Sequence, residues 1–380
     1  MSHRPEFLAT DRLLVIAPHP DDESLGCGGL VQHALAAGAA VRVIIVTDGD
    51  NNPWPQRRLE KIWHIDAAAQ ARWGARRRAE AREAVAVLGI DVAHVEFLGW
   101  PDLGVTRRLL EEGEAMIADF AQRLTDFDPT WIAAPTLADT HPDHSAIRLA
   151  LEAAVARSDG KGRVLGYGIH GDSAQADLRL PLSEALLQRK REAVLCHRSQ
   201  AAFGTGRLLR FVHAEEFFAL DAKQKSVPVT KWVWQLPLGA WPLRDIAHDI
   251  QIIGWTERGE LRCMQLPAPP ARRQQAFVKE NGVNIEWRRH ARLGELAMAP
   301  LWSDAIVVYA KLARRGWPWL IFDDAGWSAA QPGFLPDSHF RHAREGDLPI
   351  ESSGPHGSGA RDEYSGSDQG SIAGSHRMDR

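Results

Sequence analysis

Apolar residues in the first half of the chain fall into two patterns: short unbroken runs, and longer stretches in which they recur every third or fourth position. A short apolar run bounded by turn residues reads as a strand buried on both faces, and i, i+3, i+4, i+7 recurrence reads as an amphipathic helix. Leu13–Ala17 and Val41–Val46 are runs of the first kind, followed by Val95–Leu98, Trp131–Ala134 and Val164–Ile169. Ala81, Ala84, Val85 and Leu88 take the helical spacing between Arg76 and Leu88, with Gly89 as a stop. Further helices are predicted from about Gly28 to Gly38 and near Arg107–Leu124, Ser145–Val155 and Glu184–Leu195. Strands alternating with helices imply βαβ units: an α/β, Rossmann-like fold over 1–222, with a mainly parallel sheet and helices on both faces.

Beyond this point the pattern changes. Short aromatic and β-branched runs broken by Pro and Gly predict a second, β-rich domain over 223–343, which holds nine of the 14 tryptophans. Such rings are core more often than sugar-stacking platforms. Over 344–380 Gly, Ser and charged residues dominate and aliphatics nearly vanish, so the segment buries too little apolar area to offset its ordering entropy and is expected to be disordered. With 45 basic and 49 acidic residues, the formal charge of -4 gives no chain-wide attraction to nucleic acid, which is not an expected partner. No segment has the roughly 18 consecutive apolar residues of a membrane span, and the first residues lack a secretory stretch, so the expectation is a soluble, cytoplasmic protein. Cys27, Cys196 and Cys263 are far apart and read as reduced thiols.

The candidate chemistry sits in two related words, His19-Pro20-Asp21-Asp22 and His141-Pro142-Asp143-His144, each following a predicted strand. In open α/β sheets ligands bind outside the carboxyl ends of the strands, so loops distant in sequence meet in one crevice. Either word alone reads as a turn with a helix cap, since Pro fixes φ and Asp accepts backbone N–H bonds. Together they suggest a catalytic cation site of His19, Asp22 and His144, with one position open. Zn²⁺ fits these donors, and Fe²⁺, Co²⁺ and Mn²⁺ are compatible by ligand type. Asp21 would be the general base for water activated by the ion. His141 would stabilise an oxyanion or protonate the leaving amine, with Asp143 orienting it and favouring its charged form. The implied reaction is amide hydrolysis.

These residues resemble the zinc-dependent de-N-acetylases of the PIG-L (LmbE-like) family, which act on N-acetylglucosamine units. The resemblance runs from about Leu13 to Gln200 and rests on Ala17–Glu23 and Thr140–His144. It implies zinc on His19, Asp22 and His144, proton abstraction by Asp21, and an oxyanion or acid role for His141 assisted by Asp143. It further implies that Arg77 and Asp102 face sugar hydroxyls, with a solvated helix charge and a turn residue as the plainer alternatives. Asp50 is read as a further substrate contact, in the acidic stretch after the second strand where many members have glutamate. Lys190–Gln200 is similar to a late Lys, His, Ser-Gln pattern with a packing role. The implied partner is a glycan or glycolipid, and transient membrane-surface contact is compatible with Trp54, Trp63 and Trp73 among arginines, although a plain surface helix also accounts for that stretch. Two alternatives stand beside the deacetylase. One is an amidase acting on a thiol conjugate. The other is a non-catalytic nucleotide- or glycan-binding protein, for which Gly26-Cys27-Gly28-Gly29 is the sole phosphate-loop feature.

Overall fold

Leu13, Val15 and Ala17 point into one buried cluster and Leu14 and Ile16 into another, which is why the first strand is apolar without alternation. The computed structural model describes residues 5–158, 162–170, 176–220, 231–237, 248–268, 275–280, 283–290, 293–299, 301–302, 304–314 and 327–332. The chain runs β1 (Arg12–Ala17), α1 (Asp22–Ala36), β2 (Ala40–Thr47), α2 (Pro53–Glu60), α3 (Ala67–Leu88), β3 (Val95–Trp100), α4 (Val105–Phe127), β4 (Trp131–Pro135), α5 (Pro142–Arg157) and β5 (Arg163–Tyr167). It continues with β6 (Leu178–Pro181), α6 (Glu184–Cys196), α7 (Gly206–Leu209) and β7 (Glu215–Leu220). The seven-stranded sheet has the order β3-β2-β1-β4-β5-β7-β6. The pairs among β1 to β5 are parallel, and β7 runs antiparallel to both β5 and β6. The α/β expectation with helices on both faces therefore holds: α1, α3 and α6 cover one face, α4 and α5 the other.

Helix α1 begins six residues before the predicted Gly28. Asp22 and Glu23 occupy its first turn, where the helix dipole favours negative charge. Its glycines lower helix propensity but admit close neighbours: a Cβ on Gly26 would lie 2.4 Å from the Tyr167 ring, and one on Gly29 2.3 Å from Leu182. The Gly26–Gly29 run is thus the middle of a packed helix, and the phosphate-loop reading is overturned. Gly38 (φ 82°) and Gly89 (φ 95°) follow α1 and α3 in the left-handed region, as their role as stops requires.

The remaining strands are β8 (Trp232–Pro237), β9 (His248–Thr256), β10 (Leu261–Pro267), β11 (Gln275–Glu280), β12 (Val283–His290), β13 (Leu293–Ala299), β14 (Ala305–Arg314), β15 (Ser328–Ala329) and β16 (Gln331–Pro332). They form two antiparallel sheets, β10-β9-β14-β15 and β11-β12-β13-β8-β16, with a core of Trp232, Trp234, Ile252, Trp287 and Leu296. The other face of the first sheet, through Ile253, Trp255, Val307 and Tyr309, packs into the cluster of α4 and α5. Trp232, Trp234, Trp255, Trp287 and Trp327 are all buried, so these rings are core and not sugar platforms. Trp241, Trp317, Trp319 and the predicted tail lie outside the described residues. The three cysteines are free thiols, and among the described residues no helix is long and apolar enough to cross a membrane.

Candidate active site

β1 pairs with β2 on one edge and β4 on the other, and the helices that follow β1 and β4 lie on opposite faces. This is the switch in strand order where a crevice opens. The loop after β1 carries His19 and Asp21 into α1. The loop after β4 ends at His141, the N-cap of α5, whose Nδ1 accepts the Asp143 N–H at 3.2 Å. The second word is therefore a helix start, and that start aims the buried His144 inward.

The two words meet. His19 Nδ1, Asp22 Oδ2 and His144 Nε2 form a triangle with all three edges 3.2 Å. A tetrahedral ion with bonds of about 2.0–2.1 Å holds its donors about 3.3–3.4 Å apart, so the triangle has the dimensions of a three-residue metal seat. Two further sets have their donors within 4.8 Å of one another: His141 with His19 and His144, and Asp102 and Asp143 with His19. Among these, the 3.2 Å triangle matches the tetrahedral edge.

The outer nitrogens of the imidazoles face carboxylates. His19 Nε2 lies 3.2 Å from Asp102 Oδ1, and His144 Nδ1 lies 3.0 Å from Asp139 Oδ2. Neither contact is an aligned hydrogen bond, so the carboxylates act as ion-pair partners. Each still favours a proton on the outer nitrogen and leaves the inner one to coordinate, the arrangement that orients metal-ligating histidines. Burial opposes charge on these rings, yet Asp102, Asp143 and Asp22 hold His19 well above its usual value, and Asp22 and Asp139 hold His144 at about 9. Burial likewise opposes ionisation of Asp102 and Asp139, but contacts to His19 and His144 bring each down to about 2. A centre this rich in carboxylate calls for positive charge, which a divalent cation supplies.

Asp21 stands beside the triangle with φ 146°, a strained value for a residue with a side chain. Its N–H donates to Glu23 Oε2 (3.0 Å), and its carboxylate meets Arg77 at 3.2 Å. Burial raises Asp21 to about 6, with Arg77 opposing and the Asp22 charge adding. Arg77 is itself buried and donates to Gly49 O (2.6 Å) and Pro20 O (2.8 Å). The expectation that it faces sugar hydroxyls is corrected: the guanidinium ties two loops to Asp21. Asp102 is differently placed: its oxygens hold His19 and the Asn51 N–H (2.7 Å), and it also lines the cleft that Asp50 borders. Asp50 lines a cleft of about 460 Å³ together with Asp48, Gln70, Trp100 and Arg107.

The expected pairing of Asp143 with His141 is also corrected. The Asp143 carboxylate accepts the N–H groups of Leu103 (2.7 Å) and Val105 (3.2 Å) and lies 3.5 Å from His19 Nε2. Only its backbone N–H reaches His141. Burial, then the charges of His19 and His144, hold His141 well below its usual value. These surroundings favour the neutral ring over the charged one.

Two residues escaped the sequence reading, Asp139 and His170, and the late Lys, His and Ser pattern takes a role other than the one expected. Asp139 gathers the N–H groups of His141, Ile169 and His170 as well as His144. Its position five residues before His144 was the available signal. His170 brings a further imidazole 5.5 Å from the His144 ring. Lys190, His197 and Ser199 form a buried polar brace rather than simple packing. Lys190 pairs with Glu216 (2.6 Å), His197 with Glu23 (3.1 Å), and the Ser199 N–H with Glu80 (3.0 Å). Asp139→Asn is expected to weaken metal affinity on the order of 10- to 100-fold with the fold intact. Titration calorimetry with Zn²⁺ measures this, and an unchanged affinity would remove Asp139 from the centre.

Fold and site define a Rossmann-like α/β protein with a histidine–aspartate centre at its strand ends. Residues 14–155 match the PIG-L family, described as GlcNAc-PI de-N-acetylase, and this part of the chain is a PIG-L family domain. The chain is similar to the 1D-myo-inositol 2-acetamido-2-deoxy-alpha-D-glucopyranoside deacetylase of Mycobacterium sp. (strain KMS), 34% identical over 39% of this chain and 51% of the relative. It is similar to the enzyme of the same name from Actinosynnema mirum, 35% identical over 40% and 56%. The chain thus spans about half the length of these curated relatives. Among solved structures, the conserved protein TT1542 from Thermus thermophilus is 28% identical, with 57% of this chain and 97% of that chain covered and a TM-score of 0.43.

Proposed function

We propose that this chain is a metal-dependent hydrolase that removes the acetyl group from an N-acetylglucosamine-type sugar. The observation that carries the reading is the 3.2 Å triangle of His19, Asp22 and His144 with Asp21 beside it. The substrate class comes from the names of the curated relatives, which are deacetylases of an inositol-linked 2-acetamido-2-deoxyglucoside. His19, Asp22 and His144 would hold the ion, with Zn²⁺ first among candidates. When bound it supplies a Lewis acid that acidifies water and polarises an amide carbonyl.

The chain's own residues perform the rest. Asp21 accepts the proton of the attacking water as the C–O bond forms and returns it to the leaving nitrogen as the C–N bond breaks, and burial keeps its basicity nearer neutrality than an ordinary carboxylate's. Arg77 fixes its direction through Pro20 and Gly49. His141 accepts at Nδ1, so in its neutral form the proton sits on Nε2, from which it donates to the developing oxyanion. Asp102 and Asp139 keep the imidazoles in one tautomer. The cleft lined by Asp48, Asp50, Gln70 and Arg107 offers acceptors and donors suited to sugar hydroxyls. The test is acetate release from N-acetylglucosamine derivatives, free and inositol-linked, with amides of thiol conjugates as controls. Turnover should vanish with a chelator and return with Zn²⁺. Failure of every acetylated sugar with a metal-loaded protein would overturn the reading.

A further inference from the structure

Among the described residues, seven large hydrophobic side chains are exposed, and four of them, Trp54, Leu59, Trp63 and Phe203, lie on two segments, 53–63 and 199–210. These segments are neighbours in space, because α2 packs against the short helical turn Gln200–Phe203 and Arg58 Nε donates to Ala202 O at 2.6 Å. They also concentrate cations. Arg57, Arg58, Lys61, Arg207 and Arg210 stand against the single carboxylate Glu60, in a chain of formal charge -4. Glu60 is already paired with Arg72 at 3.3 Å.

The rings and cations are interleaved. The Arg57 guanidinium lies 5.0 Å from the Trp54 ring and 4.7 Å from the Trp63 ring, while Arg58 and Arg207 lie 5.4 and 5.9 Å from Phe203. Trp63 is 76% exposed, whereas Trp73, ten residues on, is fully buried. The rings of α2 and its flank therefore do not serve the core. Indole prefers the zone where an apolar layer meets water, and arginine can lay its stem along that layer with its charge at phosphate level. We propose that this face docks on an anionic lipid bilayer.

Charge complementarity selects this occupant, since exposed aromatics interleaved with arginines suit a surface that is both apolar and negatively charged. The position is functional as well. Asn51 and Gln70, which bracket α2 in sequence, both line the cleft beside Asp102, so docking brings that opening to the headgroup layer. This last clause rests on the hydrolase reading, but the binding does not, and it is measured without turnover.

The experiment is co-sedimentation of the full chain with vesicles of phosphatidylcholine alone or with about 30% phosphatidylglycerol, at about 0.05 M and about 0.5 M salt. Partition onto anionic vesicles at low salt, at least about tenfold above neutral ones and lost at high salt, is the expected result. Arg57→Gln/Arg58→Gln should weaken it on the order of tenfold, and Trp54→Ala/Trp63→Ala several-fold, with circular dichroism unchanged. No partition, equal partition onto neutral vesicles, or variants that bind like the parent would overturn the proposal. So would a concentration-dependent dimer abolished by Trp63→Ala in a protein that ignores vesicles, an outcome that assigns the face to a second copy of the chain.

Discussion

Asp21→Asn is expected to lower kcat on the order of 10²- to 10⁴-fold while the protein keeps its full complement of metal. Asparagine preserves the size of the side chain and an oxygen for Arg77, and it tolerates positive φ better than most residues, so the loops should hold their places. The variant loses only the capacity to take up a proton. Metal content by mass spectrometry, read beside initial rates, separates this from damage to the seat. Wild-type turnover in a metal-replete Asp21→Asn protein would remove Asp21 from the proton transfer and leave the cation site standing.

Lys190→Met is expected to destabilise the fold by about 3–5 kcal/mol, because it strands a buried carboxylate. Lys190 and Glu216 are almost fully buried, and Lys190 Nζ donates to Glu216 (2.6 Å) and to Leu25 O (2.8 Å). Glu216 also accepts the N–H groups of Gly29 (2.6 Å) and Leu30 (2.8 Å), so the pair fastens the middle of α1 to α6 and β7. Adding Glu216→Gln to Lys190→Met removes the lone charge and is expected to recover part of the loss. Urea unfolding of the three proteins measures both effects. A loss below about 1 kcal/mol for the single variant would mean that water reaches the pair.

The parallel core could be read from sequence because strands such as Leu13–Ala17 and Val41–Val46 are buried on both faces and leave an uninterrupted apolar signature. Helix α3 was readable from Ala81 to Leu88, but its start at Ala67 was not, since the first turns are half exposed and only the Asp66 cap marks them. The glycine-rich stretch of α1 argued locally for a loop, and tertiary packing against Tyr167 and Leu182 overrode that preference. At the site, the two words named the residues that converge. Direction was harder. Nothing in sequence separates a carboxylate that faces solvent sugar from one that backs an imidazole, as Asp102 does, or says that Asp143 turns to Leu103 and Val105 and not to His141. The late Lys, His and Ser were visible as a pattern, but their acidic partners lie up to 174 residues away, beyond any local signal.

Helix α5 is gripped from both sides. β4 and the switch-point loops lie on one flank. On the other, Tyr309 Oη donates to Glu152 (2.8 Å), the Trp327 N–H donates to Ser145 Oγ (3.2 Å), and Arg157 reaches Gly259 O (2.8 Å). Met1–Phe334 forms a single compact unit. A polypeptide cut just after β7 would leave Met116, Ile117, Leu149 and their neighbours without the cover of Trp255 and Val307. The distal strands thus serve as the rear wall of the helix that presents His144.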